Sequence, residues 1–384
     1  MTAASGAPHR TLVVTNDYPP RPGGIQSFVH ELAIRQPVGE IVVYAPAWPG
    51  AAAFDAALPY PVVRHPTSLM LPVPDVAHRA ARVARAEGCD TAWFGAAAPL
   101  GLLAPTLRRH TGIEWTVAST HGHEVGWALL PGTRQLLRGV GAVNDVVTYL
   151  GDYTRRRLAR ALGSHPRLVQ VASGVDPAVF RPDSDGAQVR SRHGLTGRPV
   201  VVCVSRLVAR KGQDALIRAL PAIRRRVPDA ALLLVGGGPY RSTLERLVRE
   251  HDVGEHVVLT GSVPQEELAA HYAAGDVFAM PCRSRGGGLE VEGLGIVYLE
   301  ASATGLPVVA GDSGGAPDAV LPGETGEVVD GRDVAAVAAA VGGLLADPTR
   351  SAAWGARGRA WVQERWQWSA IAARFRDVLR GDRS

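Results

Sequence analysis

An α/β fold built from two Rossmann-like, doubly wound domains is predicted from three features of this sequence of 384 residues. Short apolar runs alternate with stretches of helical length, which is typical of a parallel sheet covered by helices on both faces. A polar segment rich in Gly, Pro and Asp, residues 173–198, interrupts the alternation, which then begins again. We therefore expect two similar domains in series, with a deep cleft between them that holds ligands at the carboxyl ends of the strands.

The first half of the chain contains six predicted strands. Each is a short run of mainly apolar residues with almost no charge, as expected for strands that are buried on both faces. The predicted strands are 11–15, 41–45, 91–94, 115–120, 145–150 and 167–172, and the predicted helices are 25–36, 74–87, 131–142 and 151–162.

The second half repeats the pattern and ends in an amphipathic tail, 361–380. We place the N-terminal domain at 1–183, the C-terminal domain at 184–364 and a last helix at 365–384. The predicted strands are 199–205, 230–236, 256–261, 276–281 and 306–311, and the predicted helices are 212–226, 240–251, 264–273, 293–304 and 333–346.

Composition excludes several classes of protein. The net charge is only +5 and no strongly basic region dominates, so we expect no nucleic-acid partner. The three cysteines are isolated from one another, which argues against a disulfide framework or a zinc ribbon and favours a reducing cytoplasm. Neither a signal peptide nor a membrane-spanning segment is predicted, so any membrane contact should be peripheral.

Lys211 is the only lysine among the 41 Lys and Arg residues. It follows a predicted strand and opens a helix, and Arg206 lies five residues before it. A compact ammonium, a guanidinium fork and helix N-terminal amides together suit a phosphate group. The alternative is a solvated charge cluster in which one lysine survived by chance.

The glycine-rich segment 232–245 follows the next strand. A dinucleotide site would have the spacing G-x-G-x-x-G and an acidic residue at the end of the following strand, but Pro239 follows Gly238 and the strand HVVLTG ends without such a residue. Beyond the following strand, the backbone at Ser262 and Val263 could meet a flat base, or form only a turn before Pro264.

The segment 283–311 has the most specific pattern. We predict that its helix starts near Gly293, so that Glu292 and Glu300, with seven residues between them, lie two turns apart on one side. One carboxylate would reach a bound sugar and the other would accept a ribose diol. A solvated helix face is the alternative, but the apolar neighbours of these glutamates argue against it.

Two motifs in the N-terminal half follow strands. Gly23 and Gly24 open a helix and would let the backbone approach an anion, or simply form a turn. His121, in the sequence STHGHEVGW, could hydrogen-bond a substrate or be a capping or core histidine. His121, His123 and Glu124 could also suggest metal ligands, but no second cluster of suitable ligands supports that interpretation.

Over nearly the whole chain, these motifs resemble the retaining GT-B glycosyltransferases of family four. The segments TNDYPPRPGGIQSF, STHGHEVGW, SRLVARKGQD and CRSRGGGLEVEGLGIVYLEA are similar to the actinobacterial GDP-mannose-dependent phosphatidyl-myo-inositol mannosyltransferases, in particular those that add the second mannose. The resemblance implies retaining mannose transfer to an anionic inositol lipid, with no metal or other cofactor, and a tail helix that crosses back to the N-terminal domain.

The resemblance also implies roles for individual residues. Arg206 and Lys211 would bind the donor diphosphate, Glu300 the ribose, Glu292 and the preceding loop amides the mannose, and the Val263 backbone the guanine. The implied donor-binding set is Gly23, Gly24, Arg206, Lys211, Val263, Gly288, Glu292, Gly293, Leu294 and Glu300. The implied catalytic residues are His121, Arg206, Lys211 and Glu292, and acceptor contacts are expected from Asn16, Asp17, Gln26 and His121.

A lipid acceptor implies peripheral contact with the cytoplasmic face of the plasma membrane. Two arginine clusters could attract anionic headgroups, although a solvated face is the alternative for each, and we expect the first to help docking. The first is Arg79, Arg82 and Arg85; the second is Arg155, Arg156, Arg157 and Arg160. Two alternatives stay open. One is a transferase of the same fold that uses another nucleotide sugar or a soluble acceptor, such as an inositol or a natural-product aglycone. The other is a sensor that binds a nucleotide sugar.

Overall fold

The structure is a computed structural model that describes residues 9–288 and 290–381. The chain forms two compact units. The N-terminal unit runs to Ser173 and takes up the chain again from Trp368, and the C-terminal unit is Gly174–Gln367. Residues just before the predicted boundary at 183/184 thus belong to the C-terminal unit, where Val175 N donates to the Trp366 carbonyl (2.8 Å).

The N-terminal unit contains a seven-stranded parallel sheet with the order β3-β2-β1-β4-β5-β6-β7. Buried apolar clusters cover both of its faces, and this explains why its central strands lack charge. The strands are β1 Thr11–Val14, β2 Ile41–Pro46, β3 Val62–His65, β4 Thr91–Phe94, β5 Trp115–Ser119, β6 Val146–Tyr149 and β7 Arg167–Gln170.

Seven helices connect these strands, and one more comes from the end of the chain. That last helix packs Ile371, Phe375 and Val378 into the core of the N-terminal sheet. The helices are α1 Gly24–Ile34, α2 Ala51–Ala56, α3 Pro74–Ala86, α4 Ala104–His110, α5 Glu124–Trp127, α6 Pro131–Val143 and α7 Asp152–Leu162, and the last is α15 Trp368–Leu379.

The C-terminal unit contains a six-stranded parallel sheet with the order β10-β9-β8-β11-β12-β13. Its strands are β8 Val200–Val204, β9 Ala231–Val235, β10 Val257–Gly261, β11 Val277–Met280, β12 Val308–Gly311 and β13 Gly326–Val329. Its helices are α8 Gly186–Arg192, α9 Gln213–Arg226, α10 Arg241–Glu250, α11 Leu268–Ala273, α12 Ile296–Ala303, α13 Val334–Leu345 and α14 Pro348–Arg365.

The two doubly wound parallel sheets confirm the predicted fold class. The prediction missed the outermost strands β3 and β13, because three of the four residues in each are only half-buried and the apolar signal is weak. It also missed α8, which lies inside the predicted linker. The amphipathic tail 361–380 covers parts of two helices, because α14 ends at Arg365 and α15 begins at Trp368.

Candidate active site

Most of the predicted donor-binding residues of the C-terminal unit lie in the segments that follow its strands, and Glu300 lies on helix α12. Arg206 follows β8, the glycine-rich loop follows β9, Val263 follows β10 and Glu292 lies beyond β11. Because all these strands are parallel, their carboxyl ends meet at one edge of the sheet. The topology therefore brings together groups that are far apart in the sequence.

Lys211 and Glu292 form a buried ion pair at this edge. The Lys211 Nζ atom lies 2.6 Å from Glu292 Oε2, and each residue is only 8% exposed. Arg210 Nη1 donates to the same oxygen at 2.8 Å. Burial alone would raise the pKa of Glu292, but the charges of Lys211 and Arg210 outweigh it and hold that pKa below its usual value. Two cations thus face one carboxylate, leaving a surplus positive charge.

Arg210 was not predicted as a site residue. Its position directly before Lys211 was the signal available in the sequence, but nothing there pointed to Glu292 as its partner. Gly212 fixes the turn that follows, with φ of +79° and its α-carbon so close to the Pro281 carbonyl that a β-carbon would lie 2.0 Å from that oxygen. Only glycine fits this turn without strain, so Gly212 sets the position of the Lys211 backbone.

Glu300 has a different environment from Glu292. It lies on α12, and its Oε2 atom accepts a hydrogen bond of 2.5 Å from the hydroxyl of Tyr272 on α11. Burial raises the pKa of Glu300 to about 7, and the bond from Tyr272 acts in the opposite direction. The ring of Tyr272 packs against Phe180 and Phe278, with centroid distances of 5.6 and 5.7 Å. Tyr272 is the second partner that the sequence analysis missed.

The predicted placement of both glutamates on one side of one helix is wrong. Helix α12 begins at Ile296, after Gly295 in a left-handed conformation, so Glu292 lies in the irregular segment before it. The reason is backbone packing, since Gly315 N donates to the Glu292 carbonyl at 2.8 Å. Glu292 therefore faces the cations, while Glu300 faces Tyr272.

Arg206 lines a cavity of about 530 Å³ at the same edge. Its side chain has no carboxylate partner within residues 9–288 and 290–381, and its carbonyl accepts from the buried Gln213 amide at 3.0 Å. The glycine-rich loop is fixed against the Arg206 loop, because Leu207 N donates to the Gly237 carbonyl at 2.9 Å. The cavity is lined by Arg206, Val208, Ala209, Arg210, Pro239, Tyr240, Arg285 and Glu290.

The other residues of this unit that were predicted to bind the donor differ in how accessible their backbone groups are to a ligand. Gly288 N already donates to the Arg285 carbonyl at 3.0 Å, so it is not available to a ligand in this conformation. The N–H groups of Gly293 and Leu294, next to Glu292, donate to no acceptor in the described part of the chain. Val263 is half-buried, two residues beyond β10.

His121 occupies the corresponding edge of the N-terminal sheet. It follows β5, and its Nε2 atom donates to the Gly95 carbonyl after β4 at 2.6 Å. Its backbone N–H donates to Glu124 Oε2 at 2.9 Å, and Phe28 packs edge-on at 5.1 Å. Burial lowers the pKa of His121, so the imidazole is neutral near pH 7. With Nε2 engaged, Nδ1 is the nitrogen left for a substrate.

The predicted acceptor residues lie after β1, at the same edge of that sheet. Gln26 Nε2 donates to Asp17 Oδ1 at 2.8 Å. Asn16 bonds both backbone groups of Met70, at 2.7 and 2.9 Å, so its amide holds a loop in place.

The neighbouring glycines begin α1. Gly23 is its N-cap, with φ of +156° and the Gln26 side chain against its α-carbon. At Gly24 a β-carbon would meet nothing within 4 Å, so the backbone there is open to a ligand.

In residues 9–288 and 290–381, no group of three or more His, Cys, Asp or Glu side chains is arranged to hold a metal ion. The only Asp-x-Asp sequence is engaged otherwise, since Asp183 pairs with Arg181 (3.4 Å) and Asp185 caps α8. All three cysteines are free and buried. No helix in that part of the chain is long and apolar enough to cross a bilayer.

Solved structures share this architecture. The sucrose-phosphate synthase of Thermosynechococcus elongatus has a TM-score of 0.75 at 22% identity, covering 97% of this chain and 99% of its own. Anabaena HepE in complex with UDP has a TM-score of 0.79 at 20% identity, covering 97% and 100%. At this identity the likeness concerns the fold, and it agrees with the GT-B class that the sequence predicted.

Sequence relatives are much more similar. The GDP-mannose-dependent α-(1-6)-phosphatidylinositol monomannoside mannosyltransferase of Mycolicibacterium smegmatis is 58% identical, covering 97% of this chain and 98% of that protein. The enzyme of Corynebacterium glutamicum that acts on the monoacylated monomannoside is 49% identical, covering 98% and 99%. The family model described as glycosyl transferases group 1 matches residues 187–361. The chain therefore belongs to the group 1 glycosyltransferases, in the same family as these mannosyltransferases.

Proposed function

We propose that this enzyme transfers mannose from GDP-mannose to a phosphatidyl-myo-inositol monomannoside, adding the second mannose with retention of configuration and without a metal ion. The observation that carries the proposal is the cluster in which Lys211 and Arg210 share the carboxylate of Glu292, with Arg206 nearby on the same loop. The names of the relatives supply the donor and the acceptor, which the cluster alone would not identify.

The C-terminal unit would bind three parts of the donor: the diphosphate, the mannose and the guanosine. Arg206 and Lys211 would bind the diphosphate, because a guanidinium fork and a compact ammonium both match phosphate oxygens. Glu292 and the free amides of Gly293 and Leu294 would hold the mannose hydroxyl groups. Glu300 would accept the two ribose hydroxyl groups, and the Val263 backbone would meet the guanine.

The N-terminal unit would supply the remaining groups. The neutral imidazole of His121 would contact the mannose near the departing phosphate, through the nitrogen that is not bonded to Gly95. The open backbone at Gly24, with Gly23, would approach the phosphate side. Asp17 and Gln26, joined to each other, would position the inositol lipid, and Asn16 would act through the Met70 loop that it holds.

The chemical step would be a front-face substitution. The bond between the anomeric carbon and the diphosphate oxygen breaks, and an acceptor hydroxyl oxygen bonds to the same face of that carbon. The hydroxyl proton passes to the departing phosphate oxygen. Negative charge therefore grows on the diphosphate, where the surplus positive charge of Arg206, Lys211 and Arg210 would stabilise it in the role that a metal ion has in other transferases.

Retention through a covalent intermediate would need a free nucleophile beside the sugar. Glu292, the carboxylate that would hold the mannose in this proposal, accepts from two cations at 2.6 and 2.8 Å, and these bonds make its oxygen a poor nucleophile. This geometry supports the front-face step. The lipid acceptor would also require peripheral contact with the cytoplasmic face of the membrane, where the nucleotide sugar is available.

The test is transfer of labelled mannose. GDP-mannose would be supplied with phosphatidylinositol monomannoside in vesicles, and UDP-glucose and UDP-N-acetylglucosamine would compete as donors. We expect labelled dimannoside from GDP-mannose alone, with the α-anomeric signal visible by NMR and with activity kept in EDTA. Lipid product from a UDP-sugar would contradict the proposed donor. Loss of activity in EDTA would contradict a reaction without a metal ion, and a β-linkage would contradict retention of configuration.

A further inference from the structure

A second feature of the N-terminal unit lies outside the predicted donor and acceptor residues. The end of α5, the turn into α6 and the outer face of α7 form a groove of about 260 Å³. We call it the arginine groove. It is lined by Val125, Ala128, Leu129, Arg134, Arg156, Arg157, Arg160 and Ala161.

The arginine groove is positively charged without compensation. None of its lining residues is acidic. Arg134, Arg156 and Arg160 make no ion pair with any carboxylate among residues 9–288 and 290–381, and Arg157 lies over the Tyr153 ring at 5.4 Å. The neighbouring Arg155 does pair with Asp152, at 3.3 Å. Four guanidinium groups that have no carboxylate partner in this part of the chain, around one depression, would attract an anion.

The rim of the arginine groove is apolar and held in place. Leu129 and Leu130 are 49% and 52% exposed and, being adjacent in the chain, form a small apolar patch. Their turn is nonetheless ordered by hydrogen bonds, because Thr133 Oγ1 donates to the Trp127 carbonyl and Arg134 N to the Leu130 carbonyl, both at 2.8 Å. Exposed leucines beside unpaired arginines are the combination that binds the interface of an anionic bilayer.

The first arginine cluster, on α3, is less available than the sequence suggested. Arg79 Nε bonds both carboxylate oxygens of Asp75 at 3.0 Å, and Arg85 donates to the His110 carbonyl at 2.6 Å. Only Arg82 of that cluster has no partner in the described part of the chain. Charge complementarity therefore favours the arginine groove over α3 for an anionic surface.

The arginine groove is also connected to the predicted site through α5. Glu124 on this one-turn helix accepts from the backbone of His121 at 2.9 Å, while Val125 and Ala128 line the groove. The helix that lines the arginine groove therefore also holds the backbone of His121 in place. That shared helix would suit an enzyme whose acceptor stays in a bilayer.

We propose that the arginine groove docks the N-terminal unit on a bilayer that contains anionic phospholipids. Arg134, Arg156, Arg157 and Arg160 contact lipid phosphates, and Leu129 and Leu130 enter the boundary of the acyl chains. The inference rests on the proposed function, since a phosphatidylinositol mannoside acceptor places the reaction at a bilayer surface.

The test is partition onto vesicles, measured by co-sedimentation without donor. One variant carries Arg156→Gln, Arg157→Gln and Arg160→Gln, and a second carries Leu129→Ser and Leu130→Ser. The matched control removes the same charge from exposed positions of the C-terminal unit, with Arg225→Gln, Arg226→Gln and Arg249→Gln. A comparison variant carries Arg79→Gln, Arg82→Gln and Arg85→Gln on α3.

We expect wild type to bind vesicles with phosphatidylglycerol and to bind pure phosphatidylcholine weakly. The groove arginine variant should lose about a hundredfold in partition, since each arginine near an anionic surface contributes roughly fivefold. The leucine variant should lose binding that persists at high salt, whereas the matched control should bind like wild type. Wild-type binding by the groove arginine variant, or loss confined to the α3 variant, would overturn the proposal.

Kinetics separate docking from catalysis. The groove arginine variant should lose turnover with a vesicle acceptor but keep it with a water-soluble short-chain monomannoside. Equal losses with both acceptors would place these arginines in the reaction itself and overturn the docking role. Because partition is measured without donor, an enzyme that binds vesicles but transfers no mannose would contradict the proposed function alone.

Discussion

The Lys211 ammonium and the Glu292 carboxylate form an ion pair of 2.6 Å in which each side chain is only 10% exposed. Removing both charges from water is costly, and apolar residues could fill the same volume without that cost. Arg210 adds a second cation to the same oxygen at 2.8 Å. The site thus holds positive charge in a fixed position before any diphosphate arrives, which is the preorganisation that lowers the free energy of a charged transition state.

Lys211→Ala removes the central cation. Arg210 still pairs with Glu292, so we expect the fold to survive, while kcat for mannose transfer falls by about 100- to 1000-fold, as when one preorganised donor is lost. Steady-state kinetics and thermal unfolding together check this. Arg225→Ala, an exposed change on α9, serves as control. Near-normal turnover in Lys211→Ala would remove Lys211 from the diphosphate site.

Arg210→Gln should have a smaller effect than Lys211→Ala. The Arg210 side chain is 31% exposed, so water replaces part of its bond to Glu292. We expect about a tenfold fall in kcat, because a charge-assisted hydrogen bond that is partly screened contributes roughly 1.4 kcal/mol. The two variants should be compared at saturating donor. A larger loss in Arg210→Gln than in Lys211→Ala would reverse the assigned order of importance.

The sequence predicted the β-sheets better than the contacts between side chains at the site. Strands such as β9, Ala231–Val235, are recognisable because burial on both faces demands a continuous apolar run. The partner of Lys211 lies 81 positions away, and no local pattern connects them. Tyr272 likewise gave no sign that it would meet Glu300, because that contact depends on how α11 and α12 pack.

The start of α12 shows the same limit. The run after Glu292 has helical composition, which predicted a helix from Gly293. The backbone instead stays irregular until Ile296, because Gly314 and Gly315 pack so tightly there that a β-carbon on either would lie 2.1 Å from the carbonyl oxygen of Glu292 or Gly293. A contact with a distant segment therefore decided the local structure, and it separated the two glutamates.

Gly212→Ala should destabilise the protein by about 2–4 kcal/mol. Alanine would meet both the strain of φ +79° and a contact of 2.0 Å with the Pro281 carbonyl oxygen. Gly194→Ala is the matched control, because its φ is +66° but a β-carbon there meets nothing within 4 Å. The free energy of unfolding of that control should fall by only about 1–2 kcal/mol. Equal losses in denaturant titrations of the two variants would refute a close approach at Gly212.

The affinity for GDP should fall as the pH drops below about 7. Burial raises the pKa of Glu300 to about 7, and the ionised form is the better acceptor for two ribose hydroxyl groups. Binding should then release a proton, and the affinity should weaken by up to about tenfold per pH unit below that pKa. Calorimetry between pH 5.5 and about 8.5 checks this. Glu300→Gln should bind weakly at every pH, and a sloping profile in that variant would assign the titration to another group.

Tyr272→Phe should move that pH dependence without abolishing it. The Tyr272 hydroxyl donates to Glu300 at 2.5 Å and stabilises the ionised carboxylate, so its loss should raise the pKa of Glu300 further. The midpoint should shift upward by about one pH unit, the equivalent of one hydrogen bond to a charged group. Tyr298→Phe is the control, because this buried hydroxyl donates to the Met280 carbonyl at 2.7 Å. Its midpoint should stay at the wild-type value, and an equal shift in both variants would mean that a general loosening of the unit, and not the loss of the bond to Glu300, causes the shift.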